Sequence, residues 1–169
     1  MVSKQEAVTA QWAQVENVYE RRAQLIPNLV ETVKGYANFE KSTLTAVIEA
    51  RSKATSITVD PSKLDPESIK KFEEAQAGLT SSLSRLLVVA EQYPDLKANQ
   101  GFQDLRAELA GSENRITVER KKFNEAVQDY NTYIRKFPQN MVAGMFDFEK
   151  KGYFEAKEGS ETAPVVKFD

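Results

Sequence analysis

Apolar residues return at alternating steps of three and four along most of this chain, the spacing of α-helices that each bury one face. Trp12, Val15, Tyr19, Ile26, Leu29, Val33 and Tyr36 keep one phase, with Arg22 in the slot between Tyr19 and Ile26. The pattern predicts a first helix over about residues 2–53. Pro27 lies inside it and deletes the N–H that would bond to the carbonyl of Ala23, at about 3 kcal/mol when nothing compensates. A kink at residues 23–27 is expected rather than an end, because the period runs on in phase. A second helix, about 66–93, opens on Asp65-Pro66-Glu67-Ser68, which supplies an N-cap acceptor, a proline at the first position and early negative charge. Its seam of Ile69, Phe72, Leu79, Leu83, Leu86, Ala90 and Tyr93 also has one polar member, Gln76, and Pro94 stops it. A third helix, about 100–137, buries Leu105, Leu109, Ile116, Phe123, Val127, Tyr130, Ile134 and Phe137, with Gly111-Ser112 as its weak point.

The expected fold is therefore all-α: an antiparallel up-and-down bundle of three long helices over residues 1–137, four if the third breaks near Gly111, followed by a largely non-helical tail. Helices of these lengths would measure about 75, 42 and 57 Å, so the first must protrude or be covered by something else. The tail, residues 138–169, carries Phe146, Phe148, Tyr153, Phe154 and Phe168, an aromatic content unlike that of disordered segments. It is expected to pack on the bundle, or to serve as a docking segment in which residues 163–168 add to a partner.

Composition narrows the chemistry. Among 169 residues there is no cysteine and no histidine, which excludes thiol nucleophiles, imidazole metal sites and Ser-His triads. Carboxylate-bridged metal sites in bundles normally use Glu-x-x-His pairs and are excluded with them. No glycine-rich phosphate loop occurs, so nucleotide cofactors are not expected either. The 23 basic and 25 acidic residues are interspersed and leave a net charge of −2, which gives no footprint for nucleic acid. The run Arg120-Lys121-Lys122 sits between Glu119 and Glu125 and reads as a solvated helix face. The longest strictly apolar run, residues 86–90, is far below the roughly 20 residues that cross a bilayer. No catalytic, cofactor or metal residues are assigned. The remaining polar set of interest is Arg21, Arg22 and Asn28 near the kink with Glu113, Asn114, Arg115, Asn124 and Asn131 on the third helix, where Glu119 is a further carboxylate. A seam arginine must be paired when buried, so Glu113 or Glu119 is expected opposite Arg22, as a register-fixing layer or the floor of a small cleft.

Several blocks in order resemble the bacterial LemA family: residues 12–22 (WAQVENVYERR), residues 25–36 (LIPNLVETVKGY), Ala50-Arg51, residues 93–99 (YPDLKAN), residues 113–116 (ENRI), Tyr130-Asn131, Phe137-Pro138, and the closing Ala163-Pro164-Val165 with Phe168. The resemblance covers nearly the whole chain. It implies an antiparallel helical bundle held to a membrane by a single N-terminal apolar helix, which would precede the region matching Val2 and is absent from this chain. It also implies membrane localisation, with this chain as the soluble domain, and it carries over no catalytic residues. Residues and resemblance together lead to the expectation of a non-enzymatic, membrane-tethered interaction or scaffolding domain with a protein partner at the membrane. The alternative is a sensory bundle that binds a small ligand between helices near Pro27. The oligomeric state is left open.

Overall fold

The computed structural model describes residues 1–36 and 39–155. They form six helices: α1 (Val2–Lys34), α2 (Lys41–Ser56), α3 (Pro66–Ala90), α4 (Pro94–Lys97), α5 (Gln100–Arg135) and α6 (Gln139–Met145). This corrects the expected three or four. The predicted first helix is two, because the chain turns at Gly35 and α2 comes back. The third helix, for which Gly111 was the weak point that left the count open, runs through that position without interruption.

The physical reason for the turn lies in what α2 buries. Leu44, Val47 and Ala54 join the α3 residues Leu79, Leu83 and Leu86 in one apolar cluster, a surface that a straight helix continuing past Lys34 would leave in water. Phe39, in the connection, is itself buried and packs on Tyr93 with ring centroids 4.9 Å apart. Returning α2 also serves Pro27: Arg51 Nε donates to the carbonyl of Ala23 at 3.0 Å, the acceptor that the proline leaves without its helical partner. The helix does not end at Pro27.

The other boundaries follow local chemistry. Asp65 Oδ1 accepts from the Ser68 amide at 2.8 Å and Asn99 Oδ1 from the Phe102 amide at 2.9 Å, capping α3 and α5. The backbone bond to Asp65's carboxylate also holds its pKa below the usual aspartate value.

Successive ties fix the directions. Lys4 meets Asp129 at 2.8 Å and Arg22 meets Glu113 at 2.7 Å, so α1 and α5 are antiparallel. Glu91 pairs with Arg106, and Glu73 with Arg120 at 2.7 Å, so α3 and α5 are antiparallel too. Two core clusters result. In the upper one the later part of α1, all of α2, the later part of α3 and the start of α5 pack as four helices. In the lower one α2 has already ended, and Val59 and Leu64 from the connecting loop, with Phe148 and Phe154 from a strap after α6, complete a core of α1, α3 and α5. The predicted tail therefore includes a helix, α6, whose Ala143 is buried while Met141, Met145 and Phe146 are exposed.

Candidate functional site

The boundary between the two clusters is polar. Arg22 occupies the seam slot of α1 and is completely buried. Its Nη1 donates to Thr80 Oγ1 at 2.6 Å and to Glu113 Oε1 at 2.7 Å; its Nη2 donates to Gln76 Oε1 at 2.7 Å and to the Gln76 carbonyl at 3.1 Å. The guanidinium also lies over the Tyr19 ring, 5.2 Å from its centroid. The two polar interruptions that the seams show, Arg22 and Gln76, are thus partners across the core. Two buried polar atoms in this region have no hydrogen-bond partner, Arg22 Nε and Ser112 Oγ.

Outside this layer, between α3 and α5, a cleft of about 430 Å³ opens over Tyr19, Arg22, Gln76, Thr80, Ile116 and Arg120, with Glu73, Glu74 and Glu155 at its rim. Arg120 Nη2 binds Glu73 Oε2 at 2.7 Å and the Glu155 carbonyl at 2.7 Å, and its guanidinium sits 4.9 Å from the Phe154 ring centroid. Burial raises the pKa of Glu73 despite the opposing charge of Arg120, and burial likewise raises that of Tyr19. The cleft offers cation, carboxylate and hydroxyl groups, most of them already engaged with one another. Among the described residues no cluster of three or more acidic side chains could hold a metal ion.

Of the predicted polar set, the structure brings Arg22 and Glu113 together, turns Asn124 and Asn131 to the main chain of Phe154 and Lys151, and leaves Arg21 and Arg115 exposed. Glu119 instead accepts from Gln11 Nε2 at 2.6 Å, and Asn28 and Asn114 are exposed. Arg120 departs from the expected solvated face: its side chain is 13% exposed, whereas Lys121 and Lys122 do face solvent. The signal for it was the phase of α5, which sets Arg120 one turn before Asn124 on the flank that holds the strap.

The strap, residues 148–155, is held through its main chain. Asn131 donates to the Lys151 carbonyl at 3.0 Å and accepts from the Lys151 amide at 2.8 Å. Seven residues earlier Asn124 does the same for Phe154, at 2.9 and 2.8 Å. Tyr130 Oη donates to the Glu149 carbonyl at 2.9 Å, the Gly152 amide donates to the Leu64 carbonyl at 2.9 Å, and the Glu155 amide donates to Glu73 Oε2 at 2.9 Å. Lys151 is buried with its ammonium 5.6 Å from the Tyr130 ring centroid, and desolvation lowers its pKa. Of the tail aromatics, Phe154 is buried and stacks on Trp12 at 6.0 Å, Phe148 is partly buried, Tyr153 and Phe146 are exposed, and Phe168 lies outside the described residues, as does the stretch 163–168.

Comparison with known proteins places these features in a wider group. The chain is 29% identical over 144 residues to Protein LemA of Metamycoplasma hominis, a match covering 85% of this chain and 62% of that protein. It is 33% identical over 92 residues to the Magnetosome protein MamQ 1 of Paramagnetospirillum magneticum, covering 54% of this chain and 34% of that one. The Magnetosome protein MamQ of Magnetospirillum gryphiswaldense is 30% identical over the same length, with the same coverage. The chain thus spans less than two thirds of the length of these relatives. The LemA family matches residues 11–168, from the start of the Trp12 block to the C-terminal tail, and the chain belongs to that family.

Proposed function

We propose that this chain is the interaction and scaffolding domain of a membrane-tethered protein, with its contact surface at the end of the bundle where α1 begins and α5 stops. The observation that carries this reading is the surface of α6. Phe137, Met141, Met145 and Phe146 stand between 62% and 78% exposed within one short stretch, and monomeric proteins seldom leave large side chains of this kind clustered in water without a use. The tether itself rests on the family resemblance. Among the described residues no helix is long and apolar enough to cross a membrane. Relatives similar to this chain over 144 and 92 residues carry differing designations, LemA and magnetosome protein, which supports a module that is reused rather than a fixed chemistry.

The test is affinity capture from native membranes with the full chain and with a Met141→Glu/Phe146→Glu variant, after both are shown to melt cooperatively. Both side chains are exposed, so the variant keeps its core. A truncation after residue 138 would not serve, because it removes Phe154 from the lower core. Partners held by the full chain and lost by the variant support the reading; equal capture, or none, defeats it.

A small-ligand role is the second reading, and the cleft beside Arg22 favours it, with one buried donor, Arg22 Nε, left unpaired. Its place is between α3 and α5, since Pro27 is exposed. A metabolite panel that produces no rise in melting temperature would count against it.

A further inference from the structure

The groove that holds the strap recognises a chain by rules indifferent to which molecule supplies it. Asn124 and Asn131 lie two turns apart on α5, about 10.5 Å, and three residues of near-extended chain span about 10 Å. Each asparagine therefore meets the N–H and C=O of one strap residue, as the edge of a sheet would. Between those clamps the fit is selective. A Cβ on Gly152 would lie 2.7 Å from Cα of Pro66 and 3.0 Å from the Asp65 carbonyl oxygen, so only glycine passes. Phe154 enters a box of Trp12, Phe72 and Phe123 with ring centroids 5.4–6.3 Å away, while Tyr153 faces outward.

The connection to the strap points the same way. It carries the exposed α6 side chains, and Asp147 joins α6 to the strap at φ 55°, in the left-handed region that non-glycine residues seldom adopt. Extended, residues 136–147 reach about 40 Å, enough to leave one bundle for another.

Resting on the reading of α6 as the contact surface, we infer that its partner is a second copy of this chain, and that two copies exchange their straps. Each copy lays residues 148–155 in the groove of the other. A second copy carries Lys-Gly-Tyr-Phe-Glu in the register the groove requires. Reciprocal exchange keeps every contact of the strap with α1, α3 and α5, so the closed and exchanged forms differ only in the connection and in the bond from the Phe148 amide to the Ala143 carbonyl. There residues 136–147 of the two copies, drawn out of the α6 helix, cross about a two-fold axis and cover each other's Met141, Met145 and Phe146.

The chain has no cysteine, so single cysteines report cleanly. Full-length Glu73→Cys and Glu155→Cys chains are mixed, incubated and treated with a short bis-maleimide; the Glu155 amide is 2.9 Å from the Glu73 carboxylate, which puts the two positions within reach. A chain carrying both substitutions should link internally at low concentration. Mixed single variants should give a cross-linked heterodimer whose yield rises with concentration. That yield should fall several-fold with Gly152→Ala in both chains or with excess peptide of residues 148–155, and be unchanged by Tyr153→Ala. Absence of the heterodimer while the double variant links internally overturns the inference. So does a heterodimer undiminished by the peptide, or failure of the double variant to link, since the strap would then not occupy the groove. If the heterodimer is absent yet Met141→Glu/Phe146→Glu still loses membrane partners, strap exchange falls and the contact-surface reading stands.

Discussion

The upper and lower halves of the core solve one problem in two ways. Above Arg22, α2 covers the bundle, and a helix satisfies its own backbone, so its neighbours need supply only aliphatic surface such as Leu79, Leu83 and Leu86. Below Arg22 the only further helix among the described residues is the short α6, which lends Ala143, and most of the cover is a strap whose own residues form no hydrogen bonds with one another. Its amides and carbonyls would be buried unpaired, so α3 and α5 must provide side chains for them: Glu73, Arg120, Asn124, Tyr130 and Asn131. A strap also brings little volume per residue, and the gap is filled by large rings, with Trp12, Phe72, Phe123 and Phe154 in mutual edge and stacked contact. Irregular backbone can be buried only where the sequence of another element has been committed to serving it.

This contrast can be broken most severely at Phe154. Phe154→Ala should cost about 3–5 kcal/mol in urea denaturation. In hydrogen exchange the Lys151 and Phe154 amides should lose protection well before those of α2. Leu79→Ala, of comparable cost at about 2–5 kcal/mol, should leave the strap amides protected; loss of strap protection there would erase the distinction between the halves.

At the boundary, Glu113→Ala leaves the buried Arg22 guanidinium short of its counter-charge. The expected loss is about 2–3 kcal/mol, below the 3–5 of a wholly buried pair because the Glu113 side chain is 33% exposed. Arg22→Met should be the milder change, since Glu113 can then turn to water; equilibrium unfolding of the two variants side by side checks the order.

A smaller effect separates the clamps. Asn131→Ala and Asn124→Ala each strand an amide and a carbonyl of the strap, at about 1–3 kcal/mol, with the larger loss at the more deeply buried Asn131. Circular dichroism should show helix content unchanged in both.

The smallest effect belongs to helix propagation alone. Asp65→Ala should cost about 1 kcal/mol at neutral pH through loss of the α3 cap. Because the folded pKa of Asp65 lies below its unfolded value, the cap contributes fully above the ordinary aspartate range and fades as pH falls through the folded value. The difference between wild type and variant should therefore shrink in acid. A difference constant down to pH 2 would show that the carboxylate is not the cap.

Both polar interruptions of the helical seams, Arg22 and Gln76, were visible in the sequence, as was the Asp65-Pro66 start of α3. That the interruptions face one another was not, because a seam position says how deep a residue lies and not what stands across from it. Asn124 and Asn131 stood out as polar residues on the third helix, but nothing local named what they and Arg51 hold: their partners are backbone atoms distant in sequence, 28 residues away for Arg51 and 30 and 20 for the asparagines.

By itself the sequence determined the helical class, the start of α3, the end of α5 near its proline, and the lack of imidazole and thiol chemistry. All of these follow from composition and from short-range periodicity. Only the tertiary structure decided that the chain turns at Gly35 and that α5 does not break at Gly111. The apolar period keeps phase across the turn, so periodicity does not distinguish one helix of about 52 residues from a hairpin of two, and the one local mark, Lys34 followed by Gly35, is a stop signal that a continuous helix can also tolerate. The choice is made by the surface that α2 buries on α3, a term that exists only once both are folded.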